Sequence, residues 1–285
     1  MNAFDEASGS KAAQARISRV GVVGAGRMGL PIIGHLVKHG FQVDVHDTDE
    51  AKREAVRQAG ARWQPEAGAL ACDSEAMLVC VGYDDELRRL AAPGGLFSSM
   101  KPGAVLALLS TVKPDTVQLL ARQAGQAGIH VLDAPVCRGG RAADTGTLLT
   151  FAGGDETALE RLRPVLSAYS SDIVHTGQAG SAQIAKAANN MVLWACLVAD
   201  HEAFALAHSY GLDVERLRQA LLTSSAANDV LRHWGTNEMV WADDDLAIVA
   251  DLARDCGIVL PQSEVVREVC RDLRPRRYQL EAYGR

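Results

Sequence analysis

Seven short runs of Val, Ile, Leu and Ala punctuate the first 175 residues of this 285-residue chain, and the pattern then stops. The runs are Val20–Val23, Val43–His46, Met77–Val81, Val105–Leu109, Val131–Asp133, Leu148–Ala152 and Ile173–His175. Helical patterns fill the gaps between them. Strands that read as continuous apolar runs belong to a sheet covered on both faces, and their alternation with helices predicts a doubly wound parallel sheet of the α/β class. From about Gly180 the periodicity becomes helical only. Ser181–Tyr210 holds neither Pro nor Gly and stops at Gly211, which predicts one helix of ~30 residues and ~45 Å. Asp213 is placed to cap a helix over Val214–Leu222. A further helix is expected over Asp245–Cys256, stopped by Gly257, with Pro261 opening the last one.

Composition narrows the class. Hydrophobic residues make up 48% and aromatic residues only 5%, so the core is built from Ala, Val, Leu and Ile. A net charge of −6 argues against nucleic acid as a partner, since binders of that kind carry a basic stripe. No apolar run reaches the ~18 residues of a membrane span. Residues 1–17 are polar and rich in Ala and Ser, and are expected to form a flexible N-terminal extension rather than a signal peptide. The six cysteines are scattered without a CxxC pair, as in a cytoplasmic protein with reduced thiols and neither a zinc site nor a disulfide framework. His35 and His39 have a metal-ligand spacing, but no third ligand stands near them; a solvated helix face is expected and no metal.

The first apolar run leads into Gly24-Ala25-Gly26-Arg27-Met28-Gly29. A strand, then GxGxxG, then a helix is the fingerprint of a dinucleotide site. Gly24 permits the tight turn, Gly26 lets the backbone approach a pyrophosphate, and Gly29 lets helix and strand pack closely. The helix N-terminus turns its unpaired N–H groups toward the phosphates. An acid, Asp47, ends the second strand, where it accepts hydrogen bonds from ribose hydroxyls and repels a 2′-phosphate. With Thr48 rather than a cation beside it, NAD is expected over NADP.

Beyond Gly180, Lys186 and Asn190 stand four apart and share one face of the long helix. An ammonium partly shielded among alanines and Ile184 is a usable proton donor or acceptor, although most helix lysines are simply solvated.

Two further segments complete an ordered set: Leu109-Ser110-Thr111-Val112-Lys113-Pro114 after a strand, and Asp133-Ala134-Pro135-Val136-Cys137-Arg138-Gly139-Gly140 leading to Gly146-Thr147-Leu148. In this order and spacing the chain resembles the β-hydroxyacid dehydrogenase family, which includes 3-hydroxyisobutyrate dehydrogenase, tartronate semialdehyde reductase and, more distantly, 6-phosphogluconate dehydrogenase. The resemblance covers roughly residues 18–261. It implies a Rossmann domain over 18–180 and an all-helical substrate and dimerisation domain over 181–285. It implies that Gly24 to Gly29 bind the cofactor together with Asp47, Thr48, Val81, Gly82 and Thr111. It implies that the backbone of the Asp133 to Gly139 loop holds a substrate carboxylate, that Lys186 is the general acid/base, and that Asn190 contacts substrate. The implied reaction is hydride transfer between a nicotinamide cofactor and a small β-hydroxyacid or its semialdehyde. The implied assembly is a homodimer or higher homo-oligomer.

The chain departs from the family pattern at the substrate side. Cys137 replaces a serine and Arg138 a glycine. Asp244 falls where a lysine is usual, so a cation has become an anion. Cys137, Arg138, Gly139 and Asp244 are therefore candidate substrate residues with Asn190. Arg138 is expected either to clamp an acid, restoring the charge lost at 244, or to turn to solvent or to Asp144. Two other readings share the architecture: an imine reductase, whose members generally lack the lysine, and a non-catalytic dinucleotide-binding sensor or scaffold.

Overall fold

The computed structural model describes residues 16–283 apart from Tyr83, Pro93, Asn237 and Arg277. Most of the expected extension, residues 1–15, lies outside the described residues; Ile17 is buried in the core.

The first half runs β1 (Arg19–Val23), α1 (Gly29–Lys38), β2 (Gln42–His46), α2 (Arg53–Gln58), β3 (Arg62–Trp63), α3 (Ala67–Asp73), β4 (Ala76–Val79), α4 (Asp84–Leu90), α5 (Leu96–Ser99), β5 (Val105–Leu108), α6 (Pro114–Gln126), β6 (His130–Asp133), β7 (Val136–Cys137), α7 (Gly139–Thr145), β8 (Leu148–Gly153), α8 (Glu156–Leu166) and β9 (Ser170–Gly177). The second half is α9 (Ser181–Ser209), α10 (Val214–Leu221), α11 (Asp229–Arg232), α12 (Ala242–Cys256) and α13 (Pro261–Leu273).

All strands form one sheet in the order β3-β2-β1-β4-β5-β6-β8-β7, with β9 paired to β8. Strands β1 to β6 pair in parallel. The doubly wound parallel sheet expected is present, and within it β8 runs antiparallel to both β6 and β7. Residues 138–147 alone join β7 to β8, fewer than the dozen or more that a parallel crossover needs. Side chains alternate between the faces. On β5, Val105 and Ala107 join the core that holds Val20, Val45 and Ile32, while Leu106 and Leu108 join Leu70, Val79 and Leu120 on the other side. The chain moves outward from β1 to β2 and β3 and returns to β4, so the carboxyl ends of β1 and β4 flank the opening where open α/β sheets bind ligands.

The long helix expected over 181–210 is α9. It has the length of a membrane span, yet Gln183, Asn190, Trp194, Leu197, His201 and Phe204 are buried along it. Trp194 and Leu197 form a third core with Val230, Leu246 and Val266 from α11, α12 and α13. Asp213 caps α10 by accepting the Arg216 N–H, and Gly257, at φ 68°, ends α12. Helix α12 begins at Ala242, three residues before the expected start, because Asp243, Asp244 and Asp245 occupy its first turn. Carboxylates there meet the positive end of the helix dipole.

Candidate active site

The glycine loop is built as its sequence requires. Gly24 has φ 99°, and a Cβ on it would stand 2.1 Å from the Cys80 carbonyl oxygen. A Cβ on Gly29 would stand 2.1 Å from the Gly24 oxygen. Around Gly26 a Cβ would meet nothing within 4 Å. Two glycines are thus demanded by the protein's own packing. The third opens on free space beside the N-terminus of α1, which suits a pyrophosphate.

Asp47, at the end of β2, is buried. Its carboxylate accepts the Ala25 N–H at 2.7 Å and the Asp49 N–H at 2.9 Å. Lys52 Nζ donates to both its oxygens, at 3.1 and 3.0 Å. Burial works to raise its pKa, but these donors outweigh burial and hold it below the usual range. Thr48 beside it is exposed. Lys52 was not among the sequence candidates: nothing in the local pattern says that a lysine five residues on folds back over the carboxylate.

Arg27 lies across the next layer. It forms a two-point ion pair with Asp144 of α7, at 2.9 and 3.0 Å, and its guanidinium covers Gly140, where a Cβ would come within 2.2 Å. Asp144 is therefore taken by Arg27. The Arg138 guanidinium runs to Asp172 at 2.7 Å, Ser171 at 2.9 Å and the Thr147 carbonyl at 3.1 Å. The side chain expected as an acid clamp is engaged on β9, and the expected charge compensation of position 244 is not formed. Arg138 has φ 82°, a left-handed conformation that explains a glycine at this position in the family pattern. Gly139 follows at φ 70°, and a Cβ on it would meet nothing within 4 Å.

Three backbone segments converge on the start of α9. Asp133, fully buried at the end of β6, accepts the N–H groups of Gly180 at 2.9 Å and Gln183 at 3.1 Å. A carboxylate from a strand thus caps a helix. Burial pushes this carboxyl up against the opposing pull of those amides. The Gln183 side chain accepts the Val112 N–H at 3.0 Å and donates to the Ser110 carbonyl at 3.0 Å. Ser110 Oγ in turn accepts the Val81 N–H at 2.9 Å and donates to the Val81 carbonyl at 2.8 Å. Val81, Gly82 and Thr111 are thereby fixed around the carboxyl ends of β4 and β5, beside α9.

One turn into α9, Lys186 Nζ donates to the Val136 carbonyl at 2.8 Å and stands 3.8 Å from Cys137 Sγ. Cys137 is buried, and burial raises its thiol pKa despite the pull of the Lys186 charge. It is a small neutral neighbour of the ammonium, since an unreactive thiol needs no activation. Asn190, buried on the same face, accepts a hydrogen bond from Asn189 at 3.1 Å.

Across from them lies Asp245, absent from the sequence candidates. Burial pushes its carboxyl up, opposed by the Lys186 charge and by hydrogen bonds from Trp194 and Asn190. Asp244, the residue singled out from sequence, is exposed. Within the run of three aspartates the structure selects the last: the turn of α12 sends Asp243 to Arg267 and Arg271 and leaves Asp245 facing Lys186.

Known proteins share both halves of the chain. Residues 19–177 match the family described as the NAD-binding domain of 6-phosphogluconate dehydrogenase. Residues 180–280 match the family described as NAD-binding of NADP-dependent 3-hydroxyisobutyrate dehydrogenase. The chain is 32% identical over 263 residues to 2-(hydroxymethyl)glutarate dehydrogenase of Eubacterium barkeri, covering 88% of this chain and 87% of that protein. It is 30% identical over 250 residues to NAD-dependent L-serine dehydrogenase of Pseudomonas aeruginosa, covering 85% and 84%. Its fold matches 3-hydroxyisobutyrate dehydrogenase of Mycobacterium tuberculosis, solved with L-serine, at a TM-score of 0.83 and 24% identity over 91% of this chain and 94% of that one. With the dinucleotide loop inside the first family match and the lysine–asparagine helix inside the second, the chain belongs to the β-hydroxyacid dehydrogenase family.

Proposed function

We propose that this protein is an NAD-preferring dehydrogenase of a small β-hydroxyacid, or reductase of its semialdehyde, with Lys186 as general acid/base. The observation that carries the reading is the position of the Lys186 ammonium. It is anchored on the Val136 carbonyl beside the Cys137–Gly139 loop, one turn from Asn190 and facing Asp245.

Gly24, Gly26 and Gly29 would hold the cofactor pyrophosphate, and Asp47 the adenosine ribose. When bound, the cofactor gives hydride to a carbonyl carbon or takes it from a carbinol carbon. Lys186 meets the charge that develops on the oxygen and delivers its proton, or removes that proton in the oxidative direction. Asn190 retains N–H capacity to hold the substrate in line. The backbone N–H groups around Gly139 and Gly140, at the start of α7, would receive the carboxylate. An ionised Asp47 whose cation is already engaged disfavours a 2′-phosphate. Val192 and Leu206 stand exposed on α9, and a homodimer that covers them is part of the same proposal.

The test is oxidation of NADH and NADPH by a panel of semialdehydes and cyclic imines, with reduction of NAD+ and NADP+ by the matching hydroxyacids. Turnover of the hydroxyacid or semialdehyde class that disappears in Lys186→Ala supports the proposal. Turnover of imines alone, or cofactor binding with no turnover, refutes it. Equal kcat/KM with NADP removes the NAD assignment, and Asp47→Asn with Thr48→Arg should shift preference toward NADP.

A further inference from the structure

Trp194 lies two turns along α9 from Lys186 and one from Asn190, on the same face, and only 4% of it is exposed. A buried indole satisfies its N–H where it can. This one donates to Asp245 Oδ2 at 3.0 Å. Asn190 accepts from Asn189 through its Oδ1 and gives a hydrogen bond to the same carboxylate. Asp245 thus stands between two fixed donors on α9 and the Lys186 charge, although it comes from a different helix.

We propose that Trp194 is a positioning residue for the reaction: its indole N–H holds Asp245 Oδ2 so that the carboxylate stays aimed at Lys186 and Asn190. The inference rests on the assignment of Lys186 as the acid/base. A phenylalanine would keep an aromatic ring in the core and leave only a small cavity, so packing accounts for little of the need for the nitrogen. The donor matters because a desolvated carboxylate that loses a hydrogen bond either turns away or takes up a proton. Either change alters the field at the Lys186 ammonium and frees the Asn190 amide from its present orientation. The charged and titratable groups that bear on Asp245 are Lys186 from α9, Cys137 from β7 and Asp244 from its own helix.

The experiment compares wild type, Trp194→Phe, Asp245→Asn and the double variant as full-length proteins. With the best substrate of the panel, Trp194→Phe is expected to lose about 10–100-fold in kcat/KM, the range for a hydrogen bond to a charged group. Its acidic limb should move to higher pH. In the Asp245→Asn background the same change should add almost nothing. Equal losses in both backgrounds, or an unchanged pH profile, would overturn the inference.

A second readout needs no turnover. Among the four tryptophans, Trp194 should give a pH-dependent emission change in wild type that vanishes in both single variants. A titration that persists in Asp245→Asn overturns the link. If wild type turns over nothing on the panel, the dehydrogenase assignment fails by itself while the fluorescence titration still decides whether Trp194 reports on Asp245.

Discussion

The glycine loop and the Lys186 face of α9 are held by different kinds of partner. The loop is fixed by Asp47, 22 residues from Ala25, and by packing of glycines against backbone. Lys186 takes its partners from Val136, 50 residues away, while Trp194 on the same face reaches Asp245, 51 residues away. One region works through main chain and fails when a Cβ is added. The other works through side chains, which can be removed with the fold left standing. Cofactor binding and chemistry should therefore fail separately.

The largest effect tests that separation. Lys186→Ala should lower kcat by about 10²–10⁴-fold, the usual contribution of a positioned acid/base, with the dissociation constant for NAD unchanged in a fluorescence titration. A parallel loss of NAD affinity would break the distinction. Gly29→Ala should give the opposite signature. Its Cβ would meet the Gly24 oxygen at 2.1 Å, so the loop must shift, at a cost near the ~3 kcal/mol upper range for overpacking. Weakened NAD binding and a lower Tm are expected, and a variant that binds NAD like wild type would contradict the packing described.

A third change sharpens the comparison within α9 itself. Asp200 is buried, with Oδ1 accepting from Asn228 at 3.2 Å and Oδ2 without a partner among the described residues. Burial raises its pKa to about 6. Because the folded value lies above the unfolded one, this group's contribution to stability is fully present below about pH 4 and is lost as pH rises through about 6. Asp200→Asn should leave stability unchanged near pH 4 and raise it by about 2 kcal/mol at pH 8, with kcat unaffected. Urea unfolding at the two pH values measures it, and equal shifts at both would refute the assignment. The smallest effect concerns the tie between the loop after β5 and α12, where Lys113 and Asp251 pair at 2.7 Å. Both are partly exposed, so Lys113→Ala should change stability by less than about 1 kcal/mol, as read from the urea midpoint.

What the sequence showed follows the same division. The seven apolar runs, the long α9, the Asp213 cap and the Gly257 stop are written in local periodicity and turn chemistry, and all appear in the structure. Strands β3 and β7 have two residues each, too few to show a period. The start of α12 was hidden because an aspartate reads equally well as a cap and as a first-turn residue. Gln183 and Asp245 act on elements remote in sequence that only tertiary packing brings to them, while Lys52 folds back over Asp47 across a turn with no period to show it. For Arg138 the loop pattern leaves an acid clamp and a turn to solvent or Asp144 both open, and in the structure its guanidinium pairs with Asp172.

Asp133 fastens α9 to the sheet near the helix N-terminus. A rod held at one end turns as a lever, and displacement grows with distance from the pivot. Lys186 lies ~8 Å along the helix from that anchor and Ser209 ~42 Å. A tilt of about 5° would carry the far end through about 4 Å and the lysine through less than about 1 Å. Such a tilt would leave the ammonium almost in place at the fulcrum.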